Sequence, residues 1–474
     1  MRLIPALVIA SLFVYCPVLA AELPVDIGRA TANTLIERAM ARNMVAGAVA
    51  LIGNHEGILY TTARGRLNAG ADAALLNEHT IFDVASLTKV IATTPSVMKL
   101  VDEGRLNLTD PISRWFPEFK GSRREGITIL QLLTHTSGLD DNNLSAEQPM
   151  KMAINRAVNQ KYWQVPGSNF QYADINFILL GELVYRISGK TLDVYSRENL
   201  FEPLEAQETM FLPPKQLAGF IAPTDDTFAG VVQDRNSRRL GGVAGHAGLF
   251  TSAYDLSRFA RMMLGGGTLD GKRILSEQAV SQMTAPQFFH KGAIVRGLGW
   301  DMDSPFSAPK GNYFSEASFG HTGYSGSSIW IDPKQDLFVI LLTIRLDYRD
   351  VKTFNQLRRD VSTFAATDFW KFRSFMELPP LETLADANMT GPGSAAGPTM
   401  SDLSPRFKMP VLHPKKKHIA KHILNLKKSS RKMVKISASK RTVANRKGRL
   451  AARRKLLSWL PNALPYNQSL NPVA

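Results

Sequence analysis

From Ala46 to Ile52 the chain runs Ala-Gly-Ala-Val-Ala-Leu-Ile, an unbroken apolar stretch, and turn-forming residues from Asn54 to Gly57 separate it from Ile58 to Ala63. Apolar runs of this length on either side of a short polar turn predict a β-hairpin. A second hairpin is predicted far along the chain, where Ser328-Ile329-Trp330-Ile331, a turn over Asp332 to Asp336, and Leu337 to Thr343 follow one another. After it the pattern from about Val351 to Trp370 is helical, and between the two hairpins most of the apolar spacing is helical too. The expected fold is of the α/β class in its α+β form: an antiparallel sheet built from both ends of one domain, flanked by helices, with a largely helical insertion.

The ends of the chain break this pattern. Met1-Arg2, the apolar run Leu3 to Val14 and the small residues up to Ala20-Ala21 have the parts of a secretory signal peptide, with cleavage expected after Ala20 or Ala21. The sole cysteine, Cys16, lies inside this segment, so neither disulfide nor thiol chemistry is expected of the mature chain. Pro379-Pro380 and the run Gly391 to Pro398 mark a Pro/Gly/Ala linker over 378–405, because such a segment buries too little apolar surface to order itself. The expected organisation is a leader at 1–21, a catalytic-sized domain at 22–377, the linker, and a tail at 406–474.

The tail changes the meaning of the net charge of +16. From residue 404 onward there is no Asp or Glu, while 19 of the 57 basic residues lie there, leaving 38 basic against 41 acidic elsewhere, a balance of −3. The basic character therefore belongs to the tail, in which Ile419, Ile423 and Leu426 recur at helical spacing. A disordered segment or a basic amphipathic helix held on an anionic membrane or envelope polymer is expected, and no nucleic-acid partner. The expected location is periplasmic or envelope-associated.

Several signatures are missing: Gly-x-Ser-x-Gly, His-Glu-x-x-His, a Walker loop and a dinucleotide fingerprint. No metal and no organic cofactor is expected. What remains is serine with lysine three residues on, the spacing that places an amine beside a hydroxyl on one helix face. Ser-x-x-Lys begins at Ser86, Ser96, Ser307, Ser429 and Ser437, so spacing alone does not choose among them.

The surroundings choose. Phe82-Asp83-Val84-Ala85-Ser86-Leu87-Thr88-Lys89 resembles the active-site serine motif of the penicillin-recognising serine hydrolases, the family of class C β-lactamases, DD-peptidases and related esterases. In the expected order follow Gly104 to Pro111, Ile127 to Leu139 with Thr134-His135-Thr136-Ser137-Gly138, Phe170-Gln171-Tyr172-Ala173-Asp174, Gly241 to Phe250, and Gly320-His321-Thr322-Gly323-Tyr324. The resemblance covers most of residues 30–370 and implies a β-lactamase/transpeptidase-like fold.

Position by position, it implies Ser86 as nucleophile, Lys89 and Tyr172 as the proton-handling pair with the base unassigned between them, and the backbone N–H groups of Ser86 and Tyr324 as oxyanion hole, Tyr324 lying on the strand after His321-Thr322-Gly323. Asp174, His321, Thr322 and Gly323 would contact substrate. Two positions depart from the pattern. Asp174 stands where Asn is common, and a carboxylate there favours a charged Lys89 and repels a substrate carboxylate. His321 stands where many β-lactamases have Lys, which would leave a weaker, pH-dependent positive charge. Taken together the expectation is an exported acyl-enzyme hydrolase acting as a DD-carboxypeptidase or endopeptidase on peptidoglycan peptides, with an esterase or weak β-lactamase as alternatives and a non-catalytic penicillin sensor as the alternative from another class.

Overall fold

The computed structural model describes residues 31–367 apart from 69–71, 162–163, 225–227, 291–292 and 303–309. All of these belong to the unit Met1–Thr383. The expected leader, linker and tail lie outside the described residues, as do Ser307, Ser429 and Ser437.

Both predicted hairpins form. Strands β1 (Val45–Gly53) and β2 (Ile58–Gly65) come from the N-terminal side; β3 (Phe319–Thr322), β4 (Ser328–Asp332) and β5 (Leu337–Arg345) come from the C-terminal side. They make one antiparallel sheet in the order β3-β4-β5-β1-β2, closed across its middle by β1 against β5, where Val49 faces Leu342 and Leu51 faces Ile340.

The unbroken apolar character of β1 and β5 follows from burial on both faces. Ala48, Ala50, Ile52, Val339 and Leu341 point to one side, where they meet helix α1 (Ala32–Ala41) and the C-terminal helix Val351–Ala365 through Ile36, Ala39, Phe354, Leu357 and Val361. Val49, Leu51, Phe338, Ile340 and Leu342 point to the other, into the main core shared with the helical insertion. Each buried Val, Leu, Ile or Phe among them contributes about 1.5–3 kcal/mol by leaving water.

Three elements of the insertion position the site. A 3-10 turn at Ala85–Leu87 runs into a π-helical turn at Lys89–Thr93 and then into α2 (Thr94–Asp102), where Ser96 is fully buried mid-helix. Helix α3 (Asp174–Ser188) starts on Asp174, whose carboxylate suits the positive end of the helix dipole. A small sheet pairs Phe82–Asp83 with Leu249–Thr251, so the segment entering Ser86 lies beside the end of the glycine-rich loop 241–248.

That loop is pressed into α3. A Cβ on Gly245 would come within 2.0 Å of Phe177 O and 2.9 Å of Gly181 N, while Thr93 Oγ1 donates to Gly245 O at 2.7 Å. Backbone on both sides of the contact leaves no flexible group to yield. Gly245→Ala is therefore expected to cost about 3 kcal/mol or more, the upper end for overpacking, read as a lower urea midpoint. A midpoint equal to that of the parent protein would contradict the close approach.

Candidate active site

Ala85 is the hinge of the site. Its φ of 46° is left-handed for a residue with a Cβ, and such strain costs about 1–3 kcal/mol that the surroundings must support. The support comes from Asp83, whose Oδ1 accepts the Ala85 N–H at 2.8 Å. The turn lifts Ser86 to the floor of a cavity of about 830 Å³, with Lys89 fully buried directly beneath it. Ser96, the other serine of this spacing among the described residues, is buried and does not line the cavity.

Lys89 Nζ has three oxygen partners: Ser86 Oγ at 3.0 Å, the His246 carbonyl at 3.1 Å, and Asp174 Oδ1 at 2.8 Å. The Tyr172 ring centroid lies 5.0 Å from the same atom. Burial disfavours the charged amine, but the Asp174 carboxylate outweighs it and holds Lys89 above its ordinary value, a firmly protonated ammonium. Burial likewise opposes ionisation of Asp174, and Lys89 with His246 outweighs it, holding the carboxyl below its ordinary value. Desolvation of the Tyr172 hydroxyl, only partly offset by Lys89, keeps the phenol above its ordinary value and protonated.

Tyr172 is held by the segment around His135. That histidine, itself at φ 55°, stacks on the Tyr172 ring with centroids 4.4 Å apart, and its Nδ1 accepts the Ala173 N–H at 3.2 Å. Its proton therefore sits on Nε2, and burial beside Arg296 and Lys89 keeps the ring neutral, far below the usual histidine value.

On the opposite wall, β3 delivers His321 and Thr322. Gly323 then packs so tightly on the serine turn that a Cβ would come within 2.4 Å of Val84 O. Tyr324, the next residue, lines the same cavity as Ser86. The strand ends at Thr322, however, and Tyr324 lies in the turn joining β3 to β4 rather than on a strand, which corrects the sequence expectation. The physical reason is the glycine on either side: Gly326 takes a φ of 108°, a conformation that strands do not use.

The expected pH-dependent charge at His321 is also corrected. Its Nδ1 donates to the Thr322 carbonyl at 2.9 Å, and burial together with Arg296 and Lys89 lowers its pKa far below the ordinary value, so the imidazole is neutral with Nε2 as an acceptor. Positive charge is supplied instead by arginines that no sequence signal distinguished among 57 basic residues. Arg296 is buried, paired with Asp301 at 2.5 Å, and lies 4.7 Å from the Phe170 ring centroid. Arg345 and Arg358 also line the cavity. Neither forms an ion pair among the described residues, and burial beside Arg345 lowers Arg358 to about 9.

All eight residues singled out from sequence thus converge: Ser86, Tyr172, Asp174, His321, Thr322, Gly323 and Tyr324 on the cavity wall, and Lys89 under its floor. A nucleophile, an ammonium, a phenol and two backbone N–H groups around one cavity are equipped for acyl transfer. Sequence reasoning missed Arg296, Arg345, Arg358, Asp234 and the partner it holds, His246. Only His246 lay in a quoted motif, as part of Gly245-His246-Ala247-Gly248.

The chain is 29% identical over 310 residues to a Bacillus subtilis protein named N-acetylmuramyl-L-alanine amidase, matching 57% of this chain and 69% of that one. An Escherichia coli protein provisionally named D-alanyl-D-alanine carboxypeptidase is 29% identical over 306 residues, with 56% and 69% covered. Among solved structures, a penicillin-binding protein homologue from Caulobacter crescentus superposes with a TM-score of 0.57 at 20% identity, over 73% of this chain and 98% of that one, a likeness of fold. Residues 32–362 match the family model described as Beta-lactamase, and the chain belongs to that family.

Proposed function

We propose that this β-lactamase-family protein is a serine hydrolase that forms an acyl-enzyme on Ser86 and cleaves peptidoglycan stem peptides as a DD-carboxypeptidase or endopeptidase. The observation that carries the proposal is the buried Lys89 ammonium 3.0 Å from Ser86 Oγ at the floor of the cavity. The names of the bacterial relatives support the substrate, and the proposal includes delivery to the envelope by the leader at 1–21.

Lys89 and Tyr172 are both protonated at rest, so the active form is one proton poorer, with that proton missing from the pair as a whole. Ser86 gives its proton to this pair as Oγ bonds to the substrate carbonyl carbon. The carbonyl oxygen gains negative charge, which the N–H groups of Ser86 and Tyr324 receive. Collapse breaks the amide bond, and the pair returns the proton to the leaving amine. Water then enters and gives a proton to the same pair as its oxygen bonds to the acyl carbon; the acyl–Oγ bond breaks, the pair hands that proton to Ser86 Oγ, and the acid product leaves. The phenol and amine act only through this relay, which requires no metal.

The Bacillus relative favours a second cleavage point, the amide between muramic acid and L-alanine at the other end of the stem. One incubation separates the possibilities. With a disaccharide pentapeptide as substrate, free D-alanine is the expected product; free peptide with an intact disaccharide would shift the assignment to the amidase; neither product, with turnover of a p-nitrophenyl ester, would leave the esterase. On the same sample a fluorescent penicillin is expected to add its mass to the peptide bearing Ser86, and an adduct elsewhere would overturn the nucleophile.

A further inference from the structure

The hydrogen bonds around the serine turn close on themselves. Starting from Ala85, its N–H is donated to Asp83 Oδ1 at 2.8 Å, and the other oxygen of the same carboxylate accepts the Gln233 N–H at 2.7 Å. The next residue, Asp234, accepts from His246 Nε2 at 2.8 Å. His246 in turn offers its carbonyl to Lys89 Nζ at 3.1 Å, and Lys89 donates to Ser86 Oγ at 3.0 Å, one peptide bond from the start. Two peptide bonds and five hydrogen bonds make a complete ring.

Nothing else in the proposed chemistry uses Asp83, Asp234 or His246. The Asp83 carboxyl is fully buried, and although burial pushes it up to about 6, both of its oxygens are committed to backbone N–H groups. His246 is 1% exposed and its buried Nδ1 has no hydrogen-bond partner among the described residues, so within them the ring is held from one nitrogen alone. Asp234 is fixed a second time by the Ser237 N–H at 2.6 Å, and the Ser237 hydroxyl donates to Ala247 O at 2.9 Å, beside the His246 carbonyl.

Two properties of the nucleophile depend on this ring. The left-handed φ of Ala85 persists only if its surroundings hold it. The ammonium has three protons, and two partners, His246 O and Asp174, direct the remaining one at Ser86 Oγ. A shift of either anchor by a fraction of an ångström turns that proton away, and misplacement on this scale is known to cost rate out of proportion to stability.

We propose that Asp83, Asp234 and His246 are positioning residues: a closed hydrogen-bond circuit that sets the Ser86–Lys89 geometry by coupling the serine turn to the loop 233–248. The proposal rests on Ser86 being the nucleophile, and its effect lies in acylation rate rather than in substrate affinity. Coupling through a ring is testable because cutting it once or twice should do the same damage, whereas independent structural contacts would contribute separately.

The experiment follows acylation by a fluorescent penicillin in the full chain, with saturation kinetics and melting temperature recorded for each variant. His246→Leu is expected to slow acylation about 30-fold with half-saturation within threefold of the parent, and His246→Gln, whose amide can donate to Asp234, to recover to within fivefold. Asp83→Asn, which keeps one acceptor, is expected to lose about 10-fold. In the double variant Asp83→Asn/His246→Leu the loss should stay below 100-fold; a loss at or above that, approaching the product of the two, overturns the circuit. So does His246→Leu acylating within threefold of the parent, or a His246→Gln variant no faster than His246→Leu. Ser86→Ala is the control: labelling of that variant at the parent rate removes the nucleophile and the circuit together, while a silent Ser86→Ala beside a fast His246→Leu removes the circuit alone.

Discussion

Ser86→Ala is expected to abolish covalent labelling by penicillin, and Lys89→Met to lower the acylation rate by about 10²–10⁴-fold, the range for losing a positioned proton-transfer group. The two differ in what else they disturb. Ser86 is half-buried and makes no ion pair, so its truncation should leave the melting temperature within a few degrees. Lys89→Met fills nearly the same volume but leaves Asp174 without its partner at 2.8 Å. Because that carboxylate keeps 31% of its surface, cavity water can solvate it or it can take up a proton, and the stability loss should be about 1–2 kcal/mol, below the 3–5 typical of a fully buried orphaned charge. A Lys89→Met enzyme acylating within tenfold of the parent would show that the amine is not part of the proton relay.

Asp174→Asn tests the residue at which this chain departs from its family's usual asparagine. In the parent, the carboxylate holds Lys89 protonated, so the proton that must leave the Lys89–Tyr172 pair departs only under alkaline conditions, and kcat/KM is expected to rise with pH through 8. Removing the carboxylate leaves burial as the dominant influence on the amine, and burial lowers its pKa. The acid limb should move down by about two pH units, a roughly 100-fold larger active fraction at a fixed pH below it. Acylation by penicillin, which carries its own carboxylate, should rise further because a repulsive charge has gone.

The same substitution reverses the sign of a stability trend. In the parent the folded pKa of Lys89 lies above its unfolded value, so the ion pair's contribution is complete at neutral pH and is lost only as pH rises beyond the ordinary lysine range. In Asp174→Asn the folded value falls below the unfolded one. The unfolded chain then binds the extra proton between the two, and stability climbs as pH rises from the lowered folded value into the ordinary lysine range. Melting temperatures across that interval decide the matter: a profile parallel to the parent's would mean that Asp174 does not control the lysine.

Other parts of the site need no titration to be understood. His321 is neutral because its ring is buried and stands among guanidinium and ammonium groups. It offers a lone pair to the cavity, while Arg296, Arg345 and Arg358 bring positive charge to its lining.

Much of this was legible in the chain before any coordinates. Both hairpins and the final helix were readable because each is specified by neighbours in sequence: an apolar run, a turn, an apolar run, then helical spacing. Ser86, Lys89, Tyr172 and His321 were readable because their motifs surround them locally. The pairing of β1 with β5, and so the single sheet, rested on inference from the two ends and is decided by burial on both faces. What could not be read is whatever depends on distance through space. Tyr324 falls in a turn because Gly326 takes a φ of 108°, which a strand does not use. His321 loses its charge to arginines 25 to 37 residues away in the chain, and Lys89 gains its permanence from a carboxylate on another helix. The ring through Asp83, Gln233, Asp234 and His246 joins segments about 150 residues apart. Short-range pattern determines which elements form and which side chains are chemically capable; the field and the hydrogen-bond geometry that set their protonation exist only once those elements are packed, because desolvation and Coulomb interaction act over ångströms rather than along the chain.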